Sequence, residues 1–122
     1  MKENEKMMSH LTAQDYIVHR LIECALACEK CYTACLQEAD VNMMSLCIEL
    51  DRDCSEICLL GAKLLQRNSE IADRFLLMCE EACRNCAIEC NKHAYEHCKD
   101  CAMICERCAD MCHENHGSFT TL

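Results

Sequence analysis

The chain is 122 residues long, with a formal charge of −9, no proline, two glycines and 16 cysteines. That length suits a single domain, and so few Gly and Pro residues leave out the punctuation that strands and hairpins need, which favours an all-α chain. The acidic balance excludes a nucleic-acid surface, which requires a basic patch.

Residues 1–11 open with Met-Lys-Glu-Asn-Glu-Lys-Met-Met and read as a flexible, charged N-terminal tail without the apolar run of a signal peptide. No stretch of about 18 apolar residues follows. The expectation is a cytoplasmic protein with no membrane partner, in a compartment that keeps thiols reduced. Thr12, with Asp15 three residues on, predicts a capping box at the start of a helix reaching about Glu38. Residues 39–42 form a polar break. A second helix covers about 43–66. Asn68 and Ser69 form the next break, with Ser69 the expected cap of a third helix over about 70–91. Lys92 and His93 interrupt again before a fourth helix over about 94–114. The predicted organisation is a tail over 1–11, a bundle over 12–115 and a C-terminal tail over 116–122. Four helices with short links make an all-α, antiparallel up-down-up-down four-helix bundle.

All 16 cysteines fall in four runs, one per helix. The first is Cys24, Cys28, Cys31 and Cys35; the second is Cys47, Cys54 and Cys58, with Asp51 in the slot of a missing cysteine; the third is Cys79, Cys83, Cys86 and Cys90; the fourth is Cys98, Cys101, Cys105, Cys108 and Cys112. Steps of three and four residues keep a tetrad within about 80° of one helix face. Alternating helix direction brings the cysteine-rich halves to the end that carries the first and third connections. The predicted core is a cysteine-lined column about 16 Å long at ~1.5 Å per residue. Ile17, Leu21, Leu65 and Leu76 back it at the other end, and Met43, Met44, His93 and His97 stand at its mouth.

Buried cysteine is an ordinary small hydrophobe when it occurs once or twice. At nearly every core position of half a bundle it is not, because Leu or Ala would pack there with better helix propensity. Disulfides fit poorly, since i, i+4 cysteines on one helix are held apart by its geometry. Thiolates select Cu(I), Zn(II) or iron–sulfur clusters. Structural zinc sites favour knuckles and loops, and the ferredoxin spacing is absent. Charge favours a monovalent ion, because about one Cu⁺ per thiolate leaves a nearly neutral core. The reading that follows is storage of multiple Cu(I) ions. A thiol-rich redox or iron–sulfur electron carrier and a zinc buffer remain the competing readings. No phosphate loop, His-Glu-x-x-His or Glu-x-x-His pair points to an enzyme.

Cys79-x-x-x-Cys83-x-x-Cys86-x-x-x-Cys90 with His93 and His97 downstream, and Cys47-Ile-Glu-Leu-Asp51-Arg-Asp-Cys54-x-x-Ile-Cys58, resemble the bacterial cytosolic copper storage proteins. The resemblance covers about residues 20–114. It implies a four-helix bundle that assembles as a homotetramer, the 16 cysteines as core ligands for Cu(I), and His93, His97 and Met43 as ligands at the mouth. Copper chaperones are the implied exchange partners. The hard carboxylate of Asp51 is a poor match for soft Cu(I). Met78, Met103 and Met111 read as packing or surface residues, and His10, His19, His113 and His116 as surface or tail residues. A second apolar stripe on the first helix, Val18, Ile22, Ala25, Leu26, Tyr32 and Leu36, predicts an oligomer contact.

Overall fold

The structure is a computed structural model that describes residues 12–116. The predicted tail over 1–11, His10 and all of the C-terminal tail but His116 lie outside the described residues. Four α-helices follow one another: α1 (Ala13–Cys35), α2 (Ser45–Gln66), α3 (Ala72–Cys90) and α4 (Glu96–Asn115), with a 3-10 turn over Val41–Met44 ahead of α2. The chain is an all-α four-helix bundle with its cysteines clustered in the core, as the helical spacing predicts.

Local chemistry explains the helix ends. Thr12 and Asp15 form the expected capping box: the Asp15 N–H donates to Thr12 Oγ1 at 3.1 Å and the Thr12 N–H donates to Asp15 Oδ2 at 2.9 Å. These bonds satisfy two of the donors that a helix start leaves open. Helix α2 ends at Gln66, and two residues on, past the C-cap Arg67, Asn68 has a left-handed φ of 53°. There the Ser69 N–H donates to the Leu64 carbonyl and the Asn68 N–H to the Leu65 carbonyl, at 2.9 and 3.0 Å. This is the Schellman pattern, with Asn in the place more often taken by Gly.

Four predicted boundaries move by two or more residues, that of α2 because the 3-10 turn takes up residues 43 and 44. Helix α1 ends at Cys35 rather than Glu38, because residues 36–40 are taken up in turns. Helix α3 begins at Ala72 rather than Glu70; Ser69 Oγ accepts only from the Ile71 N–H, at 3.4 Å, and caps no helical turn. Helix α4 begins at Glu96, with Tyr95 as its extended N-cap residue. His93 therefore lies in the connection, three residues ahead of the first residue of α4, while His97 is inside the helix.

Sequential helices pack side by side, and α4 closes the ring against α1. Side-chain pairs give the directions. Cys24 meets Cys54 while Cys35 meets Cys47, and Cys54 meets Cys83 while Cys47 meets Cys90, so sequential helices are antiparallel. Ser55 Oγ also donates to Glu29 Oε1 at 2.7 Å across α1 and α2. Ile17, Leu21, Leu65 and Leu76 are at most 1% exposed and close one end of the core. Each such side chain stabilises the fold by about 1.5–3 kcal/mol. Gly61, inside α2, lets a neighbour approach: a Cβ there would lie 2.7 Å from Cys79 Sγ. Among the described residues, no helix is long and apolar enough to cross a membrane.

The second stripe on α1 divides. Val18 and Ala25 are buried in the bundle and Ile22 packs against its core, whereas Leu26 and Leu36 are exposed. Residues at the seams between helices count as outward on a simple helical wheel, and that is why part of the predicted contact stripe belongs to the monomer core.

Candidate metal centre: a column of overlapping thiol tetrads

All 16 cysteines are buried free thiols. Their sulfurs approach one another at non-bonded distances: Cys58–Cys83 at 3.4 Å, Cys28–Cys105 at 3.5 Å, Cys47–Cys90 at 3.6 Å and Cys24–Cys83 at 3.7 Å. A disulfide requires about 2.05 Å, so these contacts are packed thiols.

The sulfurs group into tetrads whose ligand atoms all lie within 4.8 Å of one another. Reading towards the mouth, these include Cys24/Cys58/Cys83/Cys108, then Cys24/Cys28/Cys54/Cys105, then Cys28/Cys86/Cys101/Cys105, then Cys31/Asp51/Cys90/Cys101, and last Cys31/Cys35/His97/Cys98. Each shares at least one residue with the next. Cys24, Cys28, Cys31, Cys101 and Cys105 are the hinges between neighbouring groups. The arrangement is a ladder of soft donors running the length of the column. A soft monovalent ion satisfied by two or three sulfurs finds such a set at every level. Each thiol that exchanges H⁺ for Cu⁺ leaves the charge of the buried column unchanged.

Asp51 is part of the ladder. It is fully buried, and its Oδ1 accepts from the thiols of Cys86, Cys101 and Cys90 at 3.0, 3.4 and 3.5 Å. Burial, followed by the neighbouring Cys101, pushes its carboxyl up from 3.8 to about 8. The sequence carries the signal for this placement, since Asp51 occupies a cysteine slot four residues after Cys47; softness alone left its role open. Burial and the nearby Cys47 push the thiol of Cys98 up to about 12, and burial also raises Cys35. Hydrogen bonds from Cys31 and Cys90 hold Cys47 below the usual thiol range.

The residues expected at the mouth separate. His97 is brought to the sulfurs: its Nδ1 lies 3.6 Å from Cys98 Sγ, 3.7 Å from Cys31 Sγ and 4.0 Å from Cys35 Sγ. Tyr95 stacks on its ring with centroids 5.3 Å apart, and the Tyr95 hydroxyl donates to Asp40, tying together the two connections at this end. The buried His97 Nε2 has no hydrogen bond and faces the Glu38 carboxylate at 3.5 Å. A groove of about 640 Å³ between α1 and α4 reaches His97, Cys31 and Cys101 from outside. His93 turns instead to Glu89, with Nε2 2.8 Å from the carboxylate. Met43 is 74% exposed, whereas Met44 is fully buried. The 3-10 turn sets this order: it points Met44 inward and leaves Met43 on the outside.

Comparison with known proteins agrees with this geometry. The sequence profile of the copper storage proteins matches residues 10–117. The chain belongs to the copper storage protein family. A curated relative, the cysteine-rich protein YhjQ of Bacillus subtilis (strain 168), described as uncharacterized, is 39% identical over 95 residues, which is 78% of this chain and 88% of that protein. The Cu(I)-bound copper storage protein BsCsp3 matches with a TM-score of 0.83 at 35% identity, covering 86% of this chain and 99% of the other. A cytosolic copper storage protein from Streptomyces lividans, carrying five coppers, matches with a TM-score of 0.82 at 32% identity, over 86% of this chain and 92% of the other. The same S. lividans protein loaded with 10 copper equivalents also has a TM-score of 0.82, over 86% and 84%. The copper storage family holds its metal in storage and does not turn over a substrate.

Proposed function

We propose that this copper storage protein holds multiple Cu(I) ions along the thiol ladder, with all 16 cysteines as ligands and His97 as the ligand that receives copper at the mouth. The observation that carries this reading is the sharing of residues between successive tetrads, which gives an ion a continuous run of sulfur from His97 to the apolar plug. Cu(I) bound near the mouth exchanges one thiolate at a time and moves inward without crossing a gap in soft donors. His93, held by Glu89, and exposed Met43 act further out, as transient donors that meet copper before His97 does. Cytosolic residence, supported by the S. lividans relative described as cytosolic, and delivery by copper chaperones complete the reading.

Assembly as a homotetramer is supported by exposed apolar side chains along α1, Leu26 and Tyr16, and by Leu36 at its C-cap. Sedimentation equilibrium of the full chain checks this; a monomer at working concentration overturns it.

Anaerobic titration of the reduced chain with Cu(I) against a competing chelator tests the storage reading. Tight uptake of many equivalents, with parallel loss of thiol reactivity, is expected. Saturation at about four divalent ions, in keeping with tetrahedral thiolate sites, or a visible-absorbing cluster in the purified protein, overturns it.

A further inference from the structure

A second cluster of metal-binding side chains lies outside the thiol ladder, on the surface of α3 and α4. His113 lies in the last turn of α4, and His116, three residues on, is its C-cap residue. Glu80 of α3 faces both. Its Oε2 lies 3.0 Å from His113 Nδ1 and its Oε1 lies 3.8 Å from His116 Nε2. The two imidazoles stand edge to face, with ring centroids 5.6 Å apart and planes at 78°. One carboxylate thus presents a separate oxygen to each ring.

We propose that Glu80, His113 and His116 form a second metal site, selective for a borderline divalent cation of the zinc class and separate from the Cu(I) store. Each imidazole faces one carboxylate oxygen, at 3.0 Å to Oε2 and 3.8 Å to Oε1, near the ~3.3 Å between donors bonded at about 2.0–2.1 Å to a tetrahedral zinc, so small side-chain rotations would bring one carboxylate and both rings around one ion. Donor chemistry also fits, because imidazole and carboxylate suit zinc-class divalent ions, while soft Cu(I) prefers the thiolates. The end of α4 adds the negative pole of its helix dipole, which favours a cation. Arg84 is the nearby cation. Its close partner is Asp110, at 2.9 Å, and it pairs with Glu80 Oε2 only at the longer distance of 3.9 Å. Glu80 is 18% exposed, His116 31% and His113 67%. The site therefore opens to solvent, with room for water as a fourth ligand. A bound ion fastens α3 to α4 on the outside of the bundle.

The test uses the full chain with its thiols already filled with Cu(I), titrated anaerobically with Co²⁺ as a spectroscopic substitute for zinc. Copper counted in the same sample reports on the storage reading separately. One Co²⁺ per chain is expected, with ligand-field bands of a nitrogen and oxygen site and no sulfur-to-cobalt charge transfer. Glu80→Gln and the pair His113→Ala/His116→Ala should each weaken binding at least ~10-fold, while His93→Ala/His97→Ala leaves it unchanged. Ring NMR signals of His113 and His116 should shift on Zn²⁺ addition to the same loaded protein. Absence of Co²⁺ binding, charge transfer from sulfur, or loss of binding in the His93/His97 variant alone overturns the proposal.

Discussion

Replacing Gly61 with alanine sets two opposing effects against each other. Alanine inside a helix is favoured over glycine by about 1 kcal/mol. The added Cβ, however, would lie 2.7 Å from Cys79 Sγ, about 0.7 Å inside the shortest ordinary contact. Its other neighbours, Phe75 Cδ1 at 3.5 Å and Leu21 Cδ1 at 3.6 Å, are at normal separation. The clash is thus confined to the thiol, which has to swing away, and overpacking of this kind costs about 1–3 kcal/mol. Gly61→Ala should therefore destabilise the reduced, copper-free protein by about 0–2 kcal/mol. With Cys79→Ala the sulfur is gone, and the same substitution should stabilise by about 1 kcal/mol. Denaturant unfolding of the four proteins, reduced and under argon, gives the coupling as a double-mutant cycle. If Gly61→Ala stabilises both backgrounds equally, Gly61 is not there to make room for Cys79.

Three further outcomes follow from the ladder. Cys105 belongs to two adjoining tetrads, so Cys105→Ala should lower copper capacity by more equivalents than Cys112→Ala near the plugged end, as read by chelator-competed titration; equal losses would contradict the sharing. His97→Ala should slow Cu(I) uptake in stopped-flow measurements while leaving final capacity within about one equivalent of the original, since His97 is one donor in a tetrad; an unchanged rate would remove it from the mouth. The carboxyl of Asp51 titrates at about 8 when folded against 3.8 ordinarily. The unfolded chain thus releases that proton first, and copper-free protein should lose stability relative to Asp51→Asn as pH rises from about 4 to about 8. A stability difference that is flat across that range would refute the assignment.

Helices and the sulfur face were legible in the sequence because both depend on a local period. Steps of three and four residues place Cys79, Cys83, Cys86 and Cys90 on one face whatever the neighbours do. The capping box at Thr12 was equally local. What was not legible depends on the phase of short connections. Residues 41–44 carry no Gly or Pro to announce the 3-10 turn, and that turn decides that Met44 rather than Met43 is buried. The start of α4 at Glu96 separates His93 from His97, and no residue type at 94–96 dictates it. Asp51 shows a different limit. Its spacing put it in the column, while the preference of Cu(I) for soft donors left its role open, and only the three-dimensional contacts show thiols donating to its oxygen.

The plug formed by Ile17, Leu21, Leu65 and Leu76 makes the column a blind passage. If copper enters and leaves only at the His97 end, as proposed above, ions on a shared path keep their order of arrival: the last taken up is the first returned, and the deepest exchange most slowly. Age, not affinity alone, then ranks the ions: a pulse of isotopically labelled copper followed by unlabelled copper would leave the label at the bottom, near Cys79 and Cys112, until the upper levels had drained.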